Sequence, residues 1–278
     1  PSLPPSAGMA ASLLPSLPGP AGSVGKGGTH KGGTHIQIVG LSATLPNLPQ
    51  VAAWLNAHLY ITTFRPVQLS LLLCTGKHLE QLQPLPPAHP PSPPSLATST
   101  WVRIREFPPS LSDDTQAVIH LCLETVLLGQ GILIFCGTRA WTERCASKIA
   151  QDISGCLNKE YIEERVREGR KELLARLRLT PVGLSVELER NVREGVGFHH
   201  AGVTMEERTL IEEGFKAGIL TVLVATSTLA AGVNLPARRV IVRTRKGFNG
   251  VEMKAFEFHQ MCGRAGRYGI DGTGEAIL

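Results

Sequence analysis

The sequence predicts an α/β fold, a parallel sheet with crossover helices. Three observations carry this. Short apolar runs rich in β-branched residues recur at 132–136 (ILIFC), 196–200 (VGFHH) and 221–225 (TVLVA). Helical spacing fills the intervals between them. Each run also breaks off on small or polar residues: Gly137-Thr138-Arg139, Ala201-Gly202 and Thr226-Ser227-Thr228. In such sheets ligands sit beyond the strand C-termini, so those endings are the first candidates for function.

Taken in order, residues 1–35 are dominated by Pro, Gly, Ser and Ala, and KGGTH occurs twice in tandem. Such a segment cannot bury enough apolar surface to offset its ordering entropy, and disorder is expected. GSVGKGGT superficially matches a phosphate-binding P-loop. That loop needs G-x-x-x-x-G-K-[ST] between a strand and a helix. Here Pro20 stands at the first glycine position and Gly27 at the hydroxyl position, so no working P-loop is expected.

A buried strand is predicted over 36–41 (IQIVGL), running into Ser42-Ala43-Thr44. An amphipathic helix is predicted over 48–58, with Val51, Trp54 and Leu55 on one face, and a second strand over 68–73. Residues 84–99 are Pro-rich and expected to be extended linker or surface insertion; a partner that reads proline motifs is one expectation there. A short strand is expected at 101–107.

From Ser112 the pattern changes. Ser112-Asp113-Asp114 caps a helix that ends near Gly129. Then follow the strand 132–136, a helix over 140–156, a charged helix within 159–178 and a helical connector over 181–193. Adjacent histidines on the strand 196–200 point to opposite faces, so His199 and His200 are not expected to chelate one metal, and no metal site is predicted. Thr204 caps the next helix, with Glu206 and Glu207 in its first turn, and that helix ends at Gly218.

Net charge is +5, which permits nucleic-acid binding without establishing it. The six cysteines include no C-x-x-C pair and no zinc-ligand spacing, so reduced thiols are expected. No apolar run approaches the ~20 residues of a membrane span, and no membrane partner is expected. The sequence does not begin with Met, and a fragment or processed chain is the expectation.

The C-terminal stretch is the richest in chemistry. Thr226, Ser227 and Thr228 end a strand and lead into a small-residue helix start that reaches Gly232. Gln260, Arg264 and Arg267 are spaced i, i+4, i+7, which predicts an amide and two guanidiniums on one helical face. Gly263 and Gly266 lie between them. Glycine inside a helix costs roughly 1 kcal/mol against alanine, so a close approach to the backbone is expected. Guanidiniums in that setting suit a triphosphate.

Ser42-Ala43-Thr44, LIFCGTR at 133–139, FHHAG at 198–202, TSTLAAGVNLPARRV at 226–240 and QMCGRAGR at 260–267 occur in this order. Together they resemble the superfamily-two DNA and RNA helicases, in wording the Ski2-like branch, and within it the polymerase-theta-type helicase region and its helicase-only paralogue. The resemblance covers residues 36–278. It implies a RecA-like parallel sheet flanked by helices, the helicase C-terminal domain of the P-loop NTPase class, over 111–278. It also implies a remnant of the first RecA-like domain over 36–75 and a Pro-rich linker over 76–110.

The resemblance further implies roles for matching residues. Ser42, Ala43 and Thr44 couple hydrolysis to strand movement. Thr138, Arg139, His200, Thr226 and Thr228 fall in motifs that contact the nucleic acid. Gly232 and Asn234 face the nucleotide. Gln260, Arg264 and Arg267 belong to the motif whose arginines reach the triphosphate. The implied cofactors of an intact parent are ATP and Mg²⁺, and the implied partner is single-stranded or branched DNA in the nucleus, in DNA repair. The P-loop and the Asp-Glu-x-His box of the family are not found upstream of Ser42. The expectation is therefore a helicase fragment that does not turn over ATP or hold it tightly alone. A non-catalytic nucleic-acid or partner-binding module and an RNA-directed Ski2-like helicase are the alternatives.

Overall fold

The computed structural model describes residues 38–42, 47–62, 64–84, 99–108, 111, 114–156, 163–243 and 252–278. The tandem KGGTH, the P-loop-like run, Ala43, Thr44 and the Pro-rich run 85–98 lie outside them. The chain divides into a unit Pro1–Leu41 and a unit Ser42–Leu278. In the first, Ile38, Val39 and Leu41 are exposed and form no strand. Over 38–41 this departs from the strand expected at 36–41, of which residues 36 and 37 lie outside the described residues. An apolar run becomes a buried strand only when a neighbour supplies its ladder.

The second unit opens with α1 (Leu48–Trp54), shorter than expected and with no buried residue. Trp54 and Leu55 of its predicted apolar face are exposed. The strands β1 (Gln68–Cys74), β2 (His78–Pro84) and β3 (Ser99–Glu106) follow. Then come α2 (Asp114–Leu127), β4 (Ile132–Phe135), α3 (Arg139–Cys156), α4 (Glu164–Arg178) and α5 (Val186–Arg193). The chain continues through β5 (Val196–His199), α6 (Met205–Lys216), β6 (Val222–Ala225) and α7 (Thr228–Gly232). It closes with β7 (Arg239–Val242), α8 (Ala255–Cys262) and β8 (Thr273–Ile277).

All the described strands join one sheet in the order β3-β2-β1-β8-β7-β4-β6-β5. The ladder from β1 to β5 is parallel, and β2 and β3 extend it as an antiparallel meander. Residues 68–84 and 99–106 thus carry strands of this same sheet. The sequence was expected to spend 36–75 on the end of a preceding domain and 76–110 on a linker. The pairing has a plain cause. Leu72 of β1 and Leu79 of β2 are buried in the common core, and β1 satisfies its open ladder on β8.

The centre of the sheet is apolar on both faces. Every residue of β4, β5 and β6 is buried, as expected for parallel strands covered by helices. Gly197 lies against Ile211 of α6, while α3 packs on the opposite face of β5. Helix α6 is held at its start by a reciprocal cap. The Thr204 hydroxyl accepts from the Glu207 N–H at 3.3 Å, and the Glu207 carboxylate accepts from the Thr204 N–H at 3.0 Å.

Candidate nucleic-acid and nucleotide interface

The register gathers the strand endings. His199, Ala225, Phe135 and Val242 are ladder partners at the C-terminal ends of β5, β6, β4 and β7. Thr138-Arg139, His200 and Thr226–Thr228 leave the sheet from that one edge, just beyond these residues.

Thr138 precedes α3 and caps it. Its hydroxyl accepts from the Trp141 N–H at 3.2 Å, and its carbonyl accepts from the Thr142 N–H at 2.9 Å. Thr138 and Arg139 are exposed, at the positive end of an 18-residue helix.

His199 and His200 do diverge. His199 Nε2 lies 2.9 Å from Glu212 of α6, and His200 Nε2 lies 2.9 Å from Glu143 of α3. The second approach is bent away from hydrogen-bond alignment. His200 Nδ1 accepts from the Gly202 N–H at 3.1 Å, and the ring stacks on Phe198 at 5.5 Å. Burial pushes both imidazoles below the ordinary histidine pKa, and the facing Glu212 and Glu143 pull them partly back. His200 is only 3 % exposed. Its ring supports the turn before α6.

Thr226 is buried, and its hydroxyl lies 2.9 Å from that of Thr228, which is exposed. Of the two, Thr228 is thus the hydroxyl open to solvent. Helix α7 is a single turn ending at Gly232, and Asn234 is exposed on the loop that follows. Ser42 is exposed and outside regular structure.

The arginine motif departs from its predicted geometry. Helix α8 ends at Cys262, with Gly263 as its C-cap. Half-buried Gln260 is therefore on the helix, while Arg264 and Arg267 are on the loop beyond it, not on one helical face. The helix stops at the Gly263 cap, and the chain is then turned by Gly266. It takes φ +89°, and a Cβ there would lie 2.6 Å from Val67 Cγ1. The close approach expected of a glycine is real, but it lies at Gly266 on the loop beyond the helix.

Neither guanidinium is loose. Arg264 Nη2 donates to the Ala230 carbonyl of α7, so the loop is tied to the helix that follows Thr226–Thr228. Burial lowers its pKa. Arg267 grips Asp271: Nε donates to Oδ2 at 3.0 Å, Nη2 to Oδ1 at 3.0 Å, and the backbone N–H to Oδ2 at 2.8 Å. Burial alone would raise the Asp271 pKa, but the Arg267 bonds outweigh it and hold the carboxyl below its ordinary range. Sequence reasoning missed Asp271, although its i+4 spacing from Arg267 was a usable signal. It also missed Arg65, whose Nη2 donates to the Ala265 carbonyl at 2.6 Å from 200 residues away. No local pattern could have shown that contact.

Comparison with known proteins agrees with this arrangement. The family described as the helicase conserved C-terminal domain matches residues 183–269. Mouse DNA polymerase theta is 41% identical over 254 residues, 87% of this chain and 9% of that protein. The ATP-dependent DNA helicase Hel308 of Caldivirga maquilingensis is 37% identical over 254 residues, 87% of this chain and 29% of that protein. The human helicase POLQ-like protein is 35% identical over 246 residues, 87% of this chain and 21% of that protein. The chain thus spans less than a third of the length of these relatives. With the motifs brought to one sheet edge and these similarities spread over most of its length, the chain belongs to the Ski2-like superfamily-two helicases and carries their helicase C-terminal domain.

Proposed function

We propose that this chain is the second RecA-like half of an ATP-dependent DNA helicase of DNA repair, acting in the nucleus. The observation that supports it best is the link between the two halves of the edge. Arg264 on the arginine loop is bonded to Ala230, two residues after Thr228. A strand held at Thr228, Thr138 and Arg139 and a triphosphate facing Arg264 and Arg267 would therefore be sensed by one connected backbone. Gly232 and Asn234 are assigned to the nucleotide side of that connection, with Gln260 from the last turn of α8.

The residues present suit a triphosphate. Arg264 and Arg267 are donor-only forks, and such groups elsewhere add about 10³–10⁵ in rate by neutralising transition-state charge. When bound, the nucleotide would supply the phosphoryl chemistry, and these residues would orient and neutralise it. Among the described residues no group of His, Cys, Asp or Glu is placed to hold a metal ion, and Mg²⁺ is given no ligand here. The ionic lysine and carboxylates of a P-loop and an Asp-Glu-x-His box have no match in the sequence, so the chain alone is expected to turn over no ATP.

The test is a steady-state ATPase and DNA-binding series on the 278-residue chain. Binding of single-stranded DNA that weakens steeply with salt, with no ATP turnover, is the expected result. Turnover abolished by Arg267→Ala would overturn the incompleteness. A preference for RNA over DNA would overturn the substrate.

A further inference from the structure

The loop that carries Arg264 and Arg267 is held on three sides. On the first, Ala237 bridges Ala265: the Ala237 N–H donates to the Arg264 carbonyl at 2.9 Å and the Gly266 N–H to the Ala237 carbonyl at 2.7 Å. On the second, β8 passes so close that a Cβ on Gly274 would lie 2.5 Å from the Ala265 carbonyl carbon. These two sides belong to the sheet. The third does not. It is formed by the segment that enters the domain after α1, where Arg65 Nε donates to the Val67 carbonyl at 2.8 Å and Nη2 to the Ala265 carbonyl at 2.6 Å. Val67 itself is buried and fills the space over Gly266.

We propose that Arg65 is a positioning residue for the arginine loop. It pins the carbonyl that lies between Arg264 and Arg267, and so joins the entering segment to the orientation of both guanidiniums. A planar fork is needed because two carbonyls must be met at once, one on each side of the junction; a lysine offers a point charge that cannot span them in the same way. Burial lowers the Arg65 pKa, but no arginine loses its charge near neutral pH. The contact is therefore permanent in pH and sensitive only to movement of the entering segment. This assignment rests on the reading that Arg264 and Arg267 face a triphosphate.

Amide exchange on the 278-residue chain tests the positioning without any nucleotide. In Arg65→Ala, exchange at the Gly266 and Arg267 amides rises about tenfold or more, the loss expected for one charged hydrogen bond. Exchange at the Ile134 and Val224 amides of β4 and β6 stays as in the parent chain. Arg65→Lys restores part of the Gly266 protection. Unchanged Gly266 exchange overturns the proposal, and so does an equal rise at Gly266, Ile134 and Val224, which would mean a general loss of stability. A calorimetric titration with inorganic triphosphate separates the two readings. Affinity lowered at least threefold by Arg65→Ala and by Arg267→Ala supports both. An exchange response without any effect of Arg267→Ala on affinity leaves Arg65 as the loop's anchor and removes the triphosphate from the account.

Discussion

Removing Arg267 should cost the fold more than removing Asp271, although the two form one ion pair. The asymmetry follows from exposure. The Asp271 side chain is 2% exposed and the Arg267 side chain 26%. Arg267→Ala strands a carboxylate that water hardly reaches while the arginine covers it. It keeps only the bond from the residue-267 backbone N–H, at 2.8 Å in the parent chain. Breaking a buried pair on one side costs about 3–5 kcal/mol, and the surviving N–H bond puts this case at the lower end, about 3 kcal/mol. Asp271→Ala strands a guanidinium that can turn to solvent. It loses charge-assisted hydrogen bonds worth about 1.5–2 kcal/mol net. For a domain of this size a change of 1 kcal/mol moves the melting temperature by about 2–4 °C. The expected losses are thus about 6–12 °C for Arg267→Ala and about 3–8 °C for Asp271→Ala, read by thermal denaturation at pH 7. The sign with pH is also set. Asp271 has a depressed folded pKa, so its contribution is complete above the ordinary Asp pKa of about 3.9 and is lost as pH falls through the folded value. The penalty of Arg267→Ala should shrink in acid as the stranded carboxyl takes up a proton. Equal losses for the two variants, or the reverse order, would refute this reasoning.

Further outcomes follow from other parts of the edge. Thr228→Val keeps the fold and weakens single-stranded DNA binding severalfold in fluorescence anisotropy, because the presented hydroxyl is lost while Thr226 stays buried. Leu133→Ala, at a fully buried position in the central strand, costs about 2–5 kcal/mol in urea denaturation. His199 and His200 have folded pKa values below the ordinary one, so the unfolded chain binds more protons and stability falls as pH drops below about 6.5. Replacing both by Gln should flatten the melting temperature between pH 7.5 and 5.5.

The parts of the fold that were legible are those where one local rule governs the outcome. The runs around β4, β5 and β6 are short, apolar and bounded by polar endings, which is all a strand buried on both faces requires. Helix α6 announces itself through Thr204 and Glu207. The antiparallel β2 and the last strand β8 were not foreseen. β2 (HLEQLQP) lies towards the outer end of the sheet and needs few apolar residues. β8 carries Gly274 and Glu275 for tertiary reasons: Gly274 admits the Ala265 backbone, and Glu275 answers Arg238 and Arg239 at 3.2 and 2.7 Å. The arginine motif shows both outcomes at once. Its residue types were readable, but its helical spacing continues past the point where Gly263 caps the helix and Gly266 turns the chain. What holds those arginines, Asp271 and Arg65, depends on the folded loop.

The pairing of β1 with β8 has a consequence for synthesis. Gln68 meets Thr273 across roughly 200 residues of chain. On a ribosome adding about 5–20 residues per second, β1 waits on the order of 10–40 s for its partner. During that interval the local hairpin with β2 can form, while the other edge of β1, with its row of unpaired N–H and C=O groups, stays open. A pause before residue 273 would lengthen the time for which that edge is open to wrong partners.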